Sequence, residues 1–282
     1  MKNKIGIMCG RLSPSLNKKI QEFPVNSWQN EFQYARNIGF ESIEWVFDLH
    51  DNPIMHDTGV KEILTRSKET NVVVHSICAD YFMERKLFGV SMSELEENTN
   101  VLLKLIKQCN KCEIQILELP FVDTSSLRNA SDREQIIQNL EPALNTANDN
   151  NVIIALETDL PPDPFQELLT KFNHPAIMAN YDVGNSTANC FNITQELLTL
   201  KDWIINIHVK DRLRNGGTVP LGTGDTNFDT FFSILKKINY AKDLIIQGAR
   251  EDLIENKILP EQTCKKYFAF VKQYVDKYLE MM

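Results

Sequence analysis

The sequence predicts a (β/α)8 barrel, on three observations. Eight apolar or β-branched runs of strand length recur along the 282 residues, each followed by a segment with helical periodicity. The repeat has the length of a βα crossover, and eight such units make one domain of about 250 residues. No linker, low-complexity run or composition shift interrupts the chain, so residues 1–282 read as a single domain. A doubly wound sheet is the alternative architecture, but no Gly-x-Gly-x-x-Gly follows the first strand.

Lys4 to Cys9 reads as the first strand and Gly10 to Pro14 as its loop, which places Arg11 at a strand end. Trp28, Phe32, Ala35 and Ile38 recur at helical spacing until Gly39, and Ser42 to Val46 is the second strand, with Asp48, His50 and Asp51 in its loop. Val60 to Glu69 is a helix, and Asn71 to Ile77 a third strand rich in β-branched residues. His75, near the end of that strand, either packs inside the barrel or lines a site. A long helix from Ser91 to Lys107 precedes a fourth strand, Ile114 to Leu119, whose Glu118 faces the site or pairs with a neighbour. One helix is expected from Asp132 to Asn150, with Asp132 favouring its N-terminal dipole. After the fifth strand, Ile153 to Glu157, the pair Pro161-Pro162 delays the next helix to about Asp163. Helices Asp163–Phe172, Ile193–Leu200 and Phe228–Ile238 then separate the last strands. Pro260 to the C-terminus is a closing amphipathic helix, with Tyr267, Phe268, Val271, Tyr274, Val275 and Tyr278 as its packing stripe.

Chemistry gathers where four successive strands end. Trp203 to Asp211 is a mostly apolar run that closes on His208, Lys210 and Asp211. A parallel strand covered by helices has no polar side to show, so polar groups belong at its end, where barrel active sites lie. Ile153 to Glu157 closes on a carboxylate, Ile177 to Asp182 on another with Gly184 and Asn185 just beyond, and Leu244 to Gln247 on an amide followed by Arg250. If these strands are neighbours, Glu157, Asp182, His208 and Gln247 converge, and a mixed O and N set of this kind suits a divalent cation. The competing reading is four unrelated polar residues solvating loops.

A formal charge of −8 argues against a protein that grips nucleic acid by its phosphates, while leaving room for small anionic substrates held by a few local cations. The N-terminus has no apolar run long enough for a signal peptide or membrane anchor, so a cytoplasmic protein without membrane contact is expected. Six cysteines spread over a long chain do not form a secreted disulfide framework, and Cys109-Asn-Lys-Cys112 reads as two buried thiols near a helix end. A homo-oligomer is compatible with all of these features.

The motifs Gly6 to Pro14, Gly39 to Trp45, Leu156-Glu157, Tyr181 to Asn185, Ile207 to Asp211 and Pro220 to Asp225 with Phe228, taken in order, resemble the sugar phosphate isomerase/epimerase superfamily of xylose-isomerase-like TIM barrels. The resemblance spans nearly the whole chain. It implies four strand-end ligands for one divalent metal, often manganese, and these fall on Glu157, Asp182, His208 and Gln247; magnesium and zinc suit the same donors. Gln247 departs from the pattern, because epimerases of this kind usually carry Glu there and use two carboxylates on opposite faces of the substrate. An amide ligates through its oxygen but has no proton to exchange.

The resemblance implies an isomerase or epimerase of a small sugar or sugar phosphate, with Glu157 as base and a metal-stabilised enediolate. Catalytic roles are thus expected of Glu157 and Gln247. Lys210, Arg250 and Arg11 are candidates for substrate oxygens, together with His75, Asn185 and Asp211, and Gly222 and Gly224 permit close backbone approach to a phosphate. A lyase or dehydratase on the same metal site, or a non-catalytic sugar-binding barrel, are the alternatives. Metal-dependent apurinic endonucleases share the superfamily, but they hold three zinc ions with additional histidines; Asn185 stands where one would be expected, and the whole chain has five histidines.

Overall fold

Eight parallel strands close on themselves in the computed structural model, which describes residues 3–254 and 259–280. They are β1 (Ile5–Met8), β2 (Ser42–Val46), β3 (Val73–Cys78), β4 (Ile116–Phe121), β5 (Ile153–Thr158), β6 (Ile177–Asp182), β7 (Ile204–Val209) and β8 (Leu244–Ile246). Each pairs in parallel with the next, and β8 returns to β1 through Ile5↔Leu244 and Ile7↔Ile246. The helices are α1 (Trp28–Ile38), α2 (Asp57–Thr70), α3 (Tyr81–Glu84), α4 (Met92–Lys111), α5 (Ala130–Asn139), α6 (Glu141–Asp149), α7 (Pro162–Phe172), α8 (Val183–Ala188), α9 (Ile193–Leu200), α10 (Phe228–Lys237), α11 (Glu251–Ile254) and α12 (Pro260–Tyr278). This is the (β/α)8 TIM barrel the sequence predicts.

The departures from expectation have local causes. Asn71 adopts φ 57 and caps α2, so β3 starts at Val73 rather than Asn71. Glu113, at φ 61, turns the chain after α4, and β4 starts at Ile116 rather than Ile114. The single helix expected from Asp132 to Asn150 is two, because Pro142 has no N–H for an α-helical bond and its ring crowds the carbonyl four residues back; α6 starts afresh with that proline in its first turn. The seventh strand stops at Val209, and Asp211–Arg212 folds back against Thr218–Val219 as a two-stranded antiparallel hairpin. The short helix α8, unforeseen, begins directly at Asp182, whose Oδ1 accepts from the Asn185 amide at 2.9 Å. Residues 281–282 of the expected closing helix lie outside the described residues. Cys109 and Cys112 are both buried free thiols, and burial pushes Cys112 up to about 12. Among the described residues no helix is long and apolar enough to cross a membrane.

Candidate active site

Polar side chains of strands that are not neighbours meet in the lumen of the barrel. Glu44, on β2, accepts from Asn206 Nδ2 at 2.7 Å and lies 2.6 Å from His208 Nε2, both on β7. Because β8 and β1 separate those strands, the contact can run only through the interior. On its other side His208 Nδ1 lies 3.0 Å from Glu157 Oε2 and 3.9 Å from Asp182 Oδ2. Glu157, Asp182 and His208 can each offer one donor atom within 4.8 Å of the others, and all three are buried. Side-chain amides fix Glu157: Asn180 Nδ2 donates to Oε2 at 2.6 Å and Asn185 Nδ2 to Oε1 at 2.7 Å, while Arg212 Nη1 donates to Asn185 Oδ1 at 2.8 Å.

Charge dominates this interior. Burial opposes ionisation of His208, but Glu44 and Glu118 outweigh it and hold the imidazole well above its ordinary pKa. Burial likewise works against Asp182, yet Lys210, 2.7 Å away, and His208 keep its carboxyl below the usual range. Burial and the repulsion of Glu157 push Glu118 well up. Four acidic side chains, Glu44, Glu118, Glu157 and Asp182, thus face two basic ones, His208 and Lys210. An uncompensated buried charge is costly, so the cluster has room for a divalent cation. A further fitting donor is the Gln247 amide: its Oε1 is buried with no hydrogen-bond partner, while its Nε2 donates to Gln21 Oε1 at 2.7 Å.

Above the cluster a cavity of about 730 Å³ opens at the C-terminal ends of the strands, and Arg11, Glu118, Glu157, Asn185, Lys210 and Gln247 line it. Burial and neighbouring Arg250 lower the Arg11 guanidinium to about 10; its Nη1 has no partner, while Nε donates to Gly248 O. The structure therefore brings Glu157, Asn185, Lys210, Arg11 and Gln247 around one cavity, with Asp182 and His208 in the buried cluster that Glu157 joins.

Five residues expected to bind substrate stand elsewhere. His75 sits at the opposite mouth, 3.9 Å from Asp243, which precedes β8; it falls early in β3, on the N-terminal side of Cys78. The Asp211 carboxylate is buried and occupied by three backbone amides, those of Gly222, Gly224 and Thr226 at 2.9, 2.8 and 3.2 Å. Gly222 and Gly224 therefore have no free amide for a phosphate; a Cβ on Gly224 would collide with Asp211 Oδ1. Arg250 is buried as well, and its guanidinium holds the carbonyls of Gly10 and Ser13 and pairs with Asp252. Strand-end position alone could not separate these framework roles from contact with a ligand.

Sequence reasoning missed Glu44, Asn180 and Asn206, which lie within strands, Gln21 and Asp80, which line the cavity from loops, and Arg212, which lines it from the hairpin. For the first group a signal existed: Asn180 and Asn206 stand two residues before Asp182 and His208, and residues two apart on a strand share a face.

A closed barrel with a buried Glu–Asp–His set below a cavity at its C-terminal mouth defines an α/β-barrel protein with a candidate metal centre. A model of the xylose isomerase-like TIM barrel family matches residues 32–263, and the chain belongs to that family. It is 26% identical over 266 residues to the putative L-ribulose-5-phosphate 3-epimerase SgbU of Haemophilus influenzae, covering 87% of this chain and 88% of that protein. It is 23% identical over 236 residues to the L-ribulose-5-phosphate 3-epimerase UlaE of Escherichia coli, covering 78% and 81%. Among solved structures, the IOLI protein with a bound zinc atom superposes with a TM-score of 0.78 at 15% identity over 99% of this chain and all 100% of that one, a likeness of fold.

Proposed function

We propose that this chain is a divalent-metal-dependent isomerase or epimerase of a small sugar or sugar phosphate, with Glu157 removing a proton next to a carbonyl. The observation that carries the reading is the Glu157, Asp182 and His208 triple, whose first member both joins the donor set and lines the cavity. The curated relatives are named as epimerases of a ketose phosphate, which supports the reaction class.

Glu157, Asp182 and His208 would hold the cation, with the free oxygen of Gln247 as a fourth donor; manganese leads, and magnesium or zinc suits the same oxygen and imidazole set. Bound there, it supplies stabilisation of the negative charge that develops on a carbonyl oxygen during enolisation. The remaining work belongs to the chain. Asn180 and Asn185 each donate to one oxygen of Glu157 and so aim its remaining lone pairs. Lys210 balances Asp182 and, with the unpaired Nη1 of Arg11, presents donors to substrate oxygens. Because Gln247 cannot carry a proton, a one-face reaction, carbonyl shift or elimination of water, is the second reading that this residue favours.

Incubation of the manganese-loaded protein in D2O with L-ribulose 5-phosphate, D-psicose and D-tagatose tests the proposal. Deuterium is expected on a carbon next to the carbonyl. No incorporation with any of the three defeats the reading, and loss of water from the product moves it to a lyase.

A further inference from the structure

Inversion at carbon needs a proton taken from one face and another delivered to the opposite one. At the place where a second carboxylate would serve, this chain has Gln247. The hydrogen bonds of that amide lead to a replacement. Gln247 Nε2 donates to Gln21 Oε1 at 2.7 Å, and Gln21 Nε2 donates to Asp80 Oδ2 at 2.5 Å. Gln21 comes from the loop after β1 and Asp80 from the loop after β3, and both line the cavity together with Glu157. The Asp80 carboxyl is therefore one amide group's width from Gln247, and it shares none of the hydrogen bonds that hold Glu157. Its other oxygen accepts from Cys78 Sγ at 3.3 Å.

Resting on the isomerase/epimerase reading, we infer that Asp80 is the second proton-transfer residue, acting on the substrate face opposite Glu157 in place of the carboxylate that Gln247 lacks. The C–H bond next to the carbonyl breaks, its proton passes to Glu157 and the electron pair enters the enediolate. The O–H bond of Asp80 then breaks, its proton forms the new C–H bond on the other face, and the carbonyl returns. Glu157 loses its proton to water and Asp80 takes one up, so no other reactant is consumed.

A carboxyl that holds its proton more tightly than a free one suits this task, and the surroundings shift Asp80 in that direction. Burial raises the pKa of Asp80, the hydrogen bonds from Gln21 and Cys78 offset part of the rise, and Asp48 and Glu157 add repulsion. Asp80 and Glu157 line the same cavity. Glu118, another acid lining the cavity, is a poorer candidate, because its Oε2 lies 3.6 Å from His208 Nε2 and belongs to the charge cluster below.

The test separates the two half-reactions, using manganese-loaded protein, L-ribulose 5-phosphate and D2O. For the wild type, the epimer formed in the first turnover is expected to carry solvent deuterium at the inverted carbon, because its new hydrogen comes from Asp80. Asp80→Asn is expected to keep exchange of the substrate's own α-hydrogen, through Glu157, within about threefold, and to lose inversion by about a hundredfold or more. Asp80→Glu is expected to recover part of the inversion, and this holds the test open if the Asn variant does not fold. Inversion at the wild-type rate in Asp80→Asn overturns the inference, as does loss of exchange and inversion together in a variant whose melting curve is native. An Asp80→Glu protein no better at inversion than the Asn variant, or substrate hydrogen retained at the inverted carbon by the wild type, counts equally against it. A wild type that exchanges but never inverts defeats Asp80 and leaves the isomerase reading standing, whereas one that does neither removes both.

Discussion

His208 Nε2 lies 2.6 Å from Glu44 Oε1, and both residues are wholly buried. That contact leaves Nδ1 as the nitrogen facing Glu157 and Asp182. A ligating imidazole is usually held by a carboxylate on its far nitrogen, which fixes both tautomer and ring orientation. Glu44 is in that position. Glu44→Gln is therefore expected to weaken manganese affinity by about 10- to 100-fold with the barrel intact. Calorimetric titration of the metal checks it, and an unchanged affinity would separate Glu44 from the metal centre.

A second buried carboxyl governs stability. Burial raises Glu196 to about 7, against the hydrogen bonds from Ser186 and from Tyr181, whose hydroxyl is 3.1 Å away. The ordinary value is 4.5, so the folded state binds the proton more tightly than the unfolded chain does. The stability that Glu196 contributes is fully present below about pH 4.5 and is lost as the pH rises through about 7, a change on the order of 3 kcal/mol at most. Glu196→Gln is expected to flatten this part of the pH dependence and to be the more stable protein at pH 8. Urea titrations at pH 5 and pH 8 measure the difference; parallel curves for the two proteins would show that Glu196 titrates normally.

The barrel was legible because its evidence is periodic: eight apolar runs alternating with helical stripes suffice to set the topology. Glu157, Asp182 and His208 were legible because an apolar run that ends on a polar residue marks the mouth of a barrel. Glu44 was not, since the pattern of Ser42 to Val46 indicates only a strand, although an acid in the middle of a strand covered on its outer side must face the lumen. Gln21 and Asp80 come from loops, where no period constrains direction, and only the folded chain brings them to Gln247. Asp211 and Arg250 carried the opposite error. Their positions beside the site were legible, but their charges are consumed by backbone amides and carbonyls that no sequence pattern displays.

Asp211 gives a test of that framework role. Its carboxylate accepts from the amides of Gly222, Gly224 and Thr226, fixing the loop next to the hairpin that carries Arg212. Removing a buried acceptor strands its donors at about 1–3 kcal/mol each. Asp211→Ala is therefore expected to lower unfolding free energy by about 2–4 kcal/mol, partly relieved by water reaching the loop. Asp211→Asn, which retains one acceptor oxygen, should lose less. Equal stability of wild type and Asp211→Ala by urea denaturation would show that the loop holds itself.

Gln247 separates the competing chemistries most sharply, and its partners allow the outcome of Gln247→Glu to be argued. The native amide uses its nitrogen on Gln21 and leaves Oε1 buried without a partner. A carboxylate of the same shape loses the donated hydrogen bond and sets two acceptors against Gln21 Oε1, which Arg11 Nη2 already approaches at 3.2 Å. The unpaired Nη1 of Arg11 offers partial compensation. Without metal the variant is therefore expected to be less stable, by about 1–3 kcal/mol for the mismatched group. With metal the sign reverses, because the added negative charge beside a divalent cation strengthens its binding, and ligand that binds only the folded state raises stability. The expected signature is a melting temperature below wild type in chelator and a larger rise than wild type on adding manganese, with tighter manganese affinity by titration. If Gln247→Glu changes neither the affinity nor the manganese-induced shift, the amide is not a metal donor, and the cation is held by Glu157, Asp182 and His208 without it.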